Sequence, residues 1–273
     1  MKFCRFLPLT TAPGRTLSPS YGQLDLDQGV VREIAGLPWD NWVEGHKIWD
    51  LKNVHLLAPC APSKIVCVGR NYAAHAAELG NEMPREPLLF LKPPSSIIGP
   101  DESILLPAIS NRLEHEAELA LVIGKKCAHL SDGQDPLSFV LGYTCLNDVT
   151  ARDLQKADVQ FTRAKGFDTF CPVGPHIETD LDPRDVLVEC RVNGERRQSG
   201  STSLMAFPPS FLVRWISRIM TLLPGDLIAS GTPAGVGPLV AGDTVQVSVA
   251  GVGVLRNSVH PLGTDIAHPG GFR

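Results

Sequence analysis

A chain of 273 residues, 43% of them hydrophobic and 20% charged, has the make-up of an ordinary globular protein, long enough to bury a core without staples. Its formal net charge of -4 speaks against nucleic-acid binding, and no stretch approaches the roughly eighteen apolar residues of a membrane-spanning helix. With 25 glycines and 23 prolines against few aromatics, short strands and turns are favoured over long helices. The opening MKFCRFLPLTTAPG has a cationic start but no sustained apolar run, so it reads as neither signal peptide nor membrane span, and a cytoplasmic protein is expected. The seven cysteines are scattered, odd in number and without a Cys-x-x-Cys pair, which fits reduced, buried thiols rather than a zinc knuckle or redox motif.

Residues 1–62 read as a small N-terminal domain and 63–273 as the main one. Phe3 to Leu9 fits a strand, Gly22 to Ile34 alternates weakly, and Trp39, Trp42 and Trp49 offer large apolar faces for docking on the main body. Pro59-Cys60-Ala61-Pro62 is the expected linker. This region carries no catalytic signature.

Lys64 to Val68 is a short apolar strand, broken by Gly69-Arg70-Asn71-Tyr72. The alanines that follow favour helix, Gly80 can end it, and His75 and Glu78 share one face at i and i+3. On spacing alone an exposed helix with an incidental His-Glu pair explains this; the bounding Gly69, Gly80, Pro84 and Pro87 also suit a mobile lid. Leu88 to Lys92 is another buried strand. A lysine at its end, Lys92, either reaches into a site or stays an exposed end residue.

In Leu113 to Gly124 (LEHEAELALVIG) the period is that of a strand, with Glu114, Glu116 and Glu118 on one face and His115, Ala117, Leu119, Leu121 and Ile123 on the other. An amphipathic strand would turn those carboxylates to water. Three like charges about 7 Å apart on one strand face repel, however, and glutamate suits strands poorly unless something compensates. A divalent cation would do so. Phe139 to Leu146 reads as a buried strand, with Asn147, Asp148 and Thr150 at its end and a helix beginning after it. Glu116, Glu118 and Asp148 make an all-oxygen triad suited to a hard ion such as Mg²⁺ or Mn²⁺. Asp148 stands four before Arg152, so a helix ion pair is the plain alternative; if Asp148 binds metal instead, Arg152, with Gln155 on the same face, is free to take a substrate carboxylate.

Phe161 to Thr169 places Lys165 before a glycine in a loop. Asn193-Gly194 signals a hairpin, and Phe211 to Leu222 an amphipathic helix with Phe211, Leu212, Trp215, Ile216, Ile219 and Leu222 expected in the core. The turn-then-strand stretches Leu223 to Ile228 and Val240 to Val245 repeat one device. Between them SGTPAGVGPL lacks the spacing of a phosphate loop, although its backbone amides and the Thr232 hydroxyl could hold a carboxylate. No Gly-x-Ser-x-Gly elbow is present, and the tail from Gly263 to Arg273 reads as loosely held.

Four ordered motifs, HEAEL at 115–119, NDVTARDLQ at 147–155, AKGFDT at 164–169 and SGTPAGVG at 230–237, resemble the fumarylacetoacetate hydrolase family, closest in type to its acylpyruvase and 2-hydroxyhepta-2,4-diene-1,7-dioate isomerase-like members. The resemblance covers roughly Lys64 to Val259. It implies a β-rich α+β architecture, a roll of mixed β-sheets with few helices plus a small N-terminal domain, and a homodimer. It also implies that His75 and Glu78 are the dyad that activates water, and that Lys165 helps hold developing negative charge. The reaction so implied is metal-dependent hydrolysis of a carbon-carbon bond in an acylpyruvate-like 2,4-dioxo acid, the departing enolate being stabilised by the metal as Lewis acid. Decarboxylation of oxaloacetate, or isomerisation or decarboxylation of a hydroxylated dienedioate from aromatic catabolism, would use the same residues. A binding module without turnover is the reading of another class.

Overall fold

The computed structural model describes residues 1–9 and 18–264; most of the tail expected to be loosely held lies outside them. The protein is a β-rich α+β fold whose largest sheet has twelve strands. Its spine runs through Val43–Asp50, Val30–Ala35, Ser20–Asp25, Lys2–Pro8, Cys171–Glu178, Val140–Asn147, Ala117–Ile123, Leu227–Ala229, Ile65–Gly69 and Leu88–Lys92. All neighbours on this path are antiparallel except Leu227–Ala229 beside Ile65–Gly69, which makes the sheet mixed. A five-stranded sheet (Glu195–Ser201, Leu187–Val192, Thr244–Val249, Gly253–Pro261, Ser103–Leu106) and a three-stranded one (Thr150–Ala151, Leu113–His115, Gly237–Leu239) complete the roll. Valines of the five-stranded sheet share one apolar core with Ala117, Leu119, Leu121 and Ile123.

The N-terminal strands are stitched into the spine, Lys2–Pro8 pairing with Cys171–Glu178. Trp42 and Trp49 meet Phe3 and Phe6 edge-on within this part. Trp39 reaches the main body: a Cβ on Gly225 would fall 3.0 Å from its ring. The stretch expected as a linker is largely buried, with Pro59, Cys60 and Pro62 inside. The reason lies just beyond it, where Asp226, itself buried, accepts from Ser63 N at 3.0 Å, Lys64 N at 3.1 Å and Lys64 Nζ at 2.5 Å.

The hairpin forms at Asn193 and Gly194, both with positive φ (52° and 84°) as a two-residue turn of that hand requires. The repeated device is real too: the carboxylates of Asp226 and Asp243 each take the amide three residues earlier, Leu223 N and Val240 N, at 2.8 Å. Four helices stand among the described residues: α1 (Ala73–Glu78), α2 (Arg152–Ala157), α3 (Thr162–Lys165) and α4 (Pro209–Ile219). Among these residues no helix is long and apolar enough to cross a membrane. α4 corrects one expectation. Leu212, Val213 and Ile216 are buried, but Phe211 and Ile219 are 40% and 56% exposed, because residues 211, 215 and 219 fall on a second stripe where Phe207, Phe211 and Trp215 stack ring on ring. All seven cysteines are free and buried.

Candidate active site

The strand expected over Leu113 to Gly124 is interrupted at Glu116: Leu113–His115 belongs to the small sheet and Ala117–Ile123 to the large one. Every residue from Leu113 to Ile123 is buried, acidic face included. The glutamates therefore point into protein rather than water. Asp148 arrives at the end of Val140–Asn147, with Asn147 paired opposite Ala117 and Asp148 N donating to Glu116 O at 2.9 Å. One oxygen from each of Glu116, Glu118 and Asp148 lies within 4.8 Å of the others.

Three cations stand among these acids. Lys92 Nζ donates to Asp148 Oδ1 at 2.6 Å and to Val149 O at 3.2 Å. Lys165, at the end of α3, gives all three of its protons to Asp148 Oδ2 (2.6 Å), Thr150 Oγ1 (2.8 Å) and Glu116 Oε2 (3.0 Å). Arg152, at the start of α2, holds Glu114 Oε2 at 2.6 Å and Glu116 Oε1 at 2.5 Å, and its third arm takes Gln155 Oε1. The Asp148–Arg152 helix pair does not form, since α2 begins only at Arg152 and both Asp148 oxygens are taken by lysines. Burial opposes ionisation of Glu116, yet Lys165 and Arg152 hold its carboxyl well below the usual carboxylate range. Burial would likewise favour a neutral Lys165, but Asp148 and Glu116 reverse that and fix its proton more firmly than an ordinary lysine's.

Glu118 is different. Its Oε2 accepts a hydrogen bond from Gly231 N at 2.7 Å, and no lysine or arginine among the described residues pairs with it. Burial first, then the charges of Asp148 and Glu116, push its carboxyl well above the usual range. A buried carboxylate facing two others, with all-oxygen donors at coordinating separation, is the environment a hard divalent cation would relieve. The residues present fit such an ion.

The glycine-rich loop after Leu227–Ala229 binds the protein's own acids. Gly231 N holds Glu118, and Gly235 N lies 3.0 and 3.1 Å from the two carboxylate oxygens of Glu78. The Thr232 hydroxyl donates to Ala117 O at 2.8 Å and accepts from Gln198 Nε2 at 2.7 Å, so its one proton is spent within the fold. Gln198, which sequence reasoning missed, is 1% exposed. Its Oε1 lies 3.0 Å from Ala117 N and from His115 Nδ1, and its Nε2 also reaches Pro233 O at 2.7 Å. It thus ties the ligand-bearing strand to the loop. The only hint in the sequence is a glutamine amid the charged run of a hairpin strand.

His75 and Glu78 lie on α1 at the wall of a cavity of about 420 Å³ that Glu116, Glu118, Asp148, Arg152, Gln155, Lys165 and Thr232 also line; Lys92 stays behind it, reaching the cavity through Asp148. His75 is buried, and its Nδ1 stands 3.5 Å from Glu78 Oε2, too long for a firm bond. That nitrogen has no hydrogen-bond partner. The arrangement offers a cluster of carboxylates for a cation, positive charge around it, and a buried histidine without a hydrogen bond at Nδ1.

Known proteins resemble this chain in sequence and in fold. A family profile described as fumarylacetoacetate (FAA) hydrolase, C-terminal, matches residues 64–260, and one described as Rv2993c-like, N-terminal, matches residues 1–59. Protein Rv2993c of Mycobacterium tuberculosis is 49% identical over 257 residues, 90% of this chain and 97% of that protein. The human mitochondrial oxaloacetate tautomerase FAHD2A is 43% identical over 219 residues, 76% of this chain and 69% of that protein. A crystal structure of 2-hydroxyhepta-2,4-diene-1,7-dioate isomerase from Mycobacterium marinum superposes with a TM-score of 0.84 at 45% identity, covering 96% of this chain and 99% of the other.

Proposed function

Since the chain belongs to the fumarylacetoacetate hydrolase family, we propose that it is an enzyme acting on 2-oxo acids at a divalent cation held by Glu116, Glu118 and Asp148, and that the reaction its site supports best is proton transfer between keto and enol forms, a tautomerisation or double-bond isomerisation. The observation that carries this reading is the presence in one cavity of Glu118, a buried carboxylate without a cationic partner, and of His75, which lines the cavity and is held by no hydrogen bond at Nδ1.

Mg²⁺ or Mn²⁺ bound there would supply Lewis acidity toward adjacent carboxylate and keto oxygens, which lowers the barrier to removing the proton between two carbonyl carbons. His75 is the group to take and return that proton, at the ring nitrogen turned away from Glu78, since its Nδ1 is closed in beside that carboxylate and the cavity's other buried acid-base groups are held by ion pairs or backbone. Lys165 cannot donate while its three protons are bound to Asp148, Thr150 and Glu116. It serves instead, with Arg152, to keep Glu116 ionised, and with Lys92 to hold Asp148 in place. The resemblance of the chain to an oxaloacetate tautomerase and to a dienedioate isomerase supports the same chemistry.

Hydrolysis of the carbon-carbon bond of an acylpyruvate is the second reading, favoured by Glu78 standing one turn from His75. A shortening of the 3.5 Å gap would let Glu78 raise the basicity of His75 toward water. The discriminating experiment follows enol decay of oxaloacetate and pyruvate release from 2,4-dioxopentanoate in parallel, each with Mn²⁺ and with EDTA. Accelerated enol decay that EDTA abolishes and His75→Ala lowers by about 100-fold supports the first reading. Pyruvate release without enol decay replaces it with the second.

A further inference from the structure

Arg70 stands at the corner between strand Ile65–Gly69 and α1 with φ of 56°. An L-residue avoids this left-handed region because its Cβ crowds the backbone, and long side chains other than asparagine or aspartate are uncommon there. The neighbouring Gly69, the residue type suited to such a turn, is not the one that adopts it. Such an outlier persists only where the surroundings impose it, and these cluster at ligand clamps.

Arg70 also lines the cavity that holds the carboxylate triad, and it is half-buried. The other arginines and the buried lysine on that wall are tied to carboxylates: Arg112 to Glu114, Arg152 to Glu114 and Glu116, Lys165 to Glu116 and Asp148. No hydrogen bond or ion pair among the described residues engages the Arg70 guanidinium. Gln155, which lines the same cavity, has its Oε1 bound by Arg152, which leaves both amide protons of its Nε2 uncommitted. A partly desolvated guanidinium is a poor thing to leave unpaired, and its planar fork fits a carboxylate with two parallel hydrogen bonds.

We infer that Arg70 receives a second carboxylate of the substrate, at the end away from the cation-chelating group, so that the substrate class is a 2-oxo dicarboxylate rather than a 2,4-dioxo monoacid. This rests on the reading of the site given above. It deepens that reading by separating two ligands the triad alone would treat alike, since both chelate through a carboxylate and its adjacent keto oxygen. Lys156, exposed at the cavity mouth and unpaired among the described residues, adds long-range attraction for the same charge.

The test compares enol–keto conversion of oxaloacetate and of 2,4-dioxopentanoate, in which an acetyl group replaces the distal carboxylate, in the wild-type protein, Arg70→Gly and Arg70→Lys with saturating Mn²⁺. Removal of a charge-assisted bidentate contact is expected to raise KM for oxaloacetate about 10- to 100-fold more than KM for 2,4-dioxopentanoate in Arg70→Gly, with Arg70→Lys recovering part of the difference. Thermal unfolding separates this from a structural role. Glycine adopts φ of 56° without strain, so Arg70→Gly is expected to unfold no earlier than the wild type by more than a few degrees. A KM ratio unchanged in both variants would overturn the inference while leaving the parent reading intact. No conversion of either substrate by the wild type would overturn both.

Discussion

The Gln198 side-chain nitrogen sits 2.7 Å from the Thr232 hydroxyl, which in turn donates to the carbonyl of Ala117, the residue between Glu116 and Glu118. A hairpin strand in the five-stranded sheet thereby fixes both the strand that carries two carboxylates and the loop that faces them. Replacing Gln198 by leucine strips four hydrogen bonds from buried groups, of which the Ala117 amide has no other partner within reach. We expect a loss of about 2–4 kcal/mol in urea unfolding, together with weaker Mn²⁺ binding by calorimetry. A loss of stability with unchanged ion affinity would show that Gln198 supports the fold but not the site.

Glu118→Gln keeps a carbonyl oxygen for Gly231 N and removes a charge that burial, Asp148 and Glu116 all disfavour. In EDTA the variant is expected to be as stable as the wild type or more so by about 1 kcal/mol. Added Mn²⁺ should raise the wild-type Tm, by the equivalent of about 2.7 kcal/mol at a hundred times Kd, and leave the variant unmoved. Melting curves of both proteins with and without the ion decide this; a wild-type Tm indifferent to Mn²⁺ would remove the triad as a metal site.

His176, buried on strand Cys171–Glu178, has neither ring nitrogen hydrogen-bonded. Burial, then the nearby charge of Lys2, depress its pKa to about 4, with Glu178 opposing. Between about pH 6.5 and that value the unfolded chain binds a proton that the folded one refuses, so stability present above 6.5 is lost as pH falls toward 4, by up to about 3 kcal/mol. Urea midpoints measured from pH 7 to 4.5 should fall less steeply in His176→Phe than in the wild type. Parallel slopes would rule out this histidine as a source of acid sensitivity.

α4 offers a contrast within two adjacent residues. Leu212 is fully buried and Phe211 is 40% exposed. Leu212→Ala should cost about 2–5 kcal/mol, and Phe211→Ala about 1 kcal/mol or less, since only ring stacking with Phe207 and Trp215 is lost. Equal losses on denaturation would mean that the aromatic ladder is part of the core after all.

How much of this was legible beforehand depends on the range of the interactions involved. Local devices were readable: the Asn193-Gly194 turn, the short helix ending before Gly80, and the paired turns at Asp226 and Asp243 are each set by a few neighbouring residues. The crowding of Glu116 and Glu118 on one strand face was visible from alternation alone, and it pointed to a shared partner. What alternation could not give was the break at Glu116, where the chain leaves one sheet for another, because that depends on strands Gly237–Leu239 and Val140–Asn147 far along the sequence. Nor could spacing place Lys92 on Asp148, or tell that Arg152 would bond Glu114 and Glu116. Apolar periodicity misplaced Phe211 and Ile219 for a similar reason. It reports that a helix has greasy faces, not how many of them the rest of the molecule covers.

The short loop from Gly231 to Gly235 carries by its backbone one acid from the cavity floor, Glu118, and one from the helix above, Glu78. Floor and roof therefore hang from a single hinge of chain. Evolutionary drift at any of these positions should drag the others with it, so in related proteins the loop, residue 78 and residue 118 are expected to change as one inherited unit.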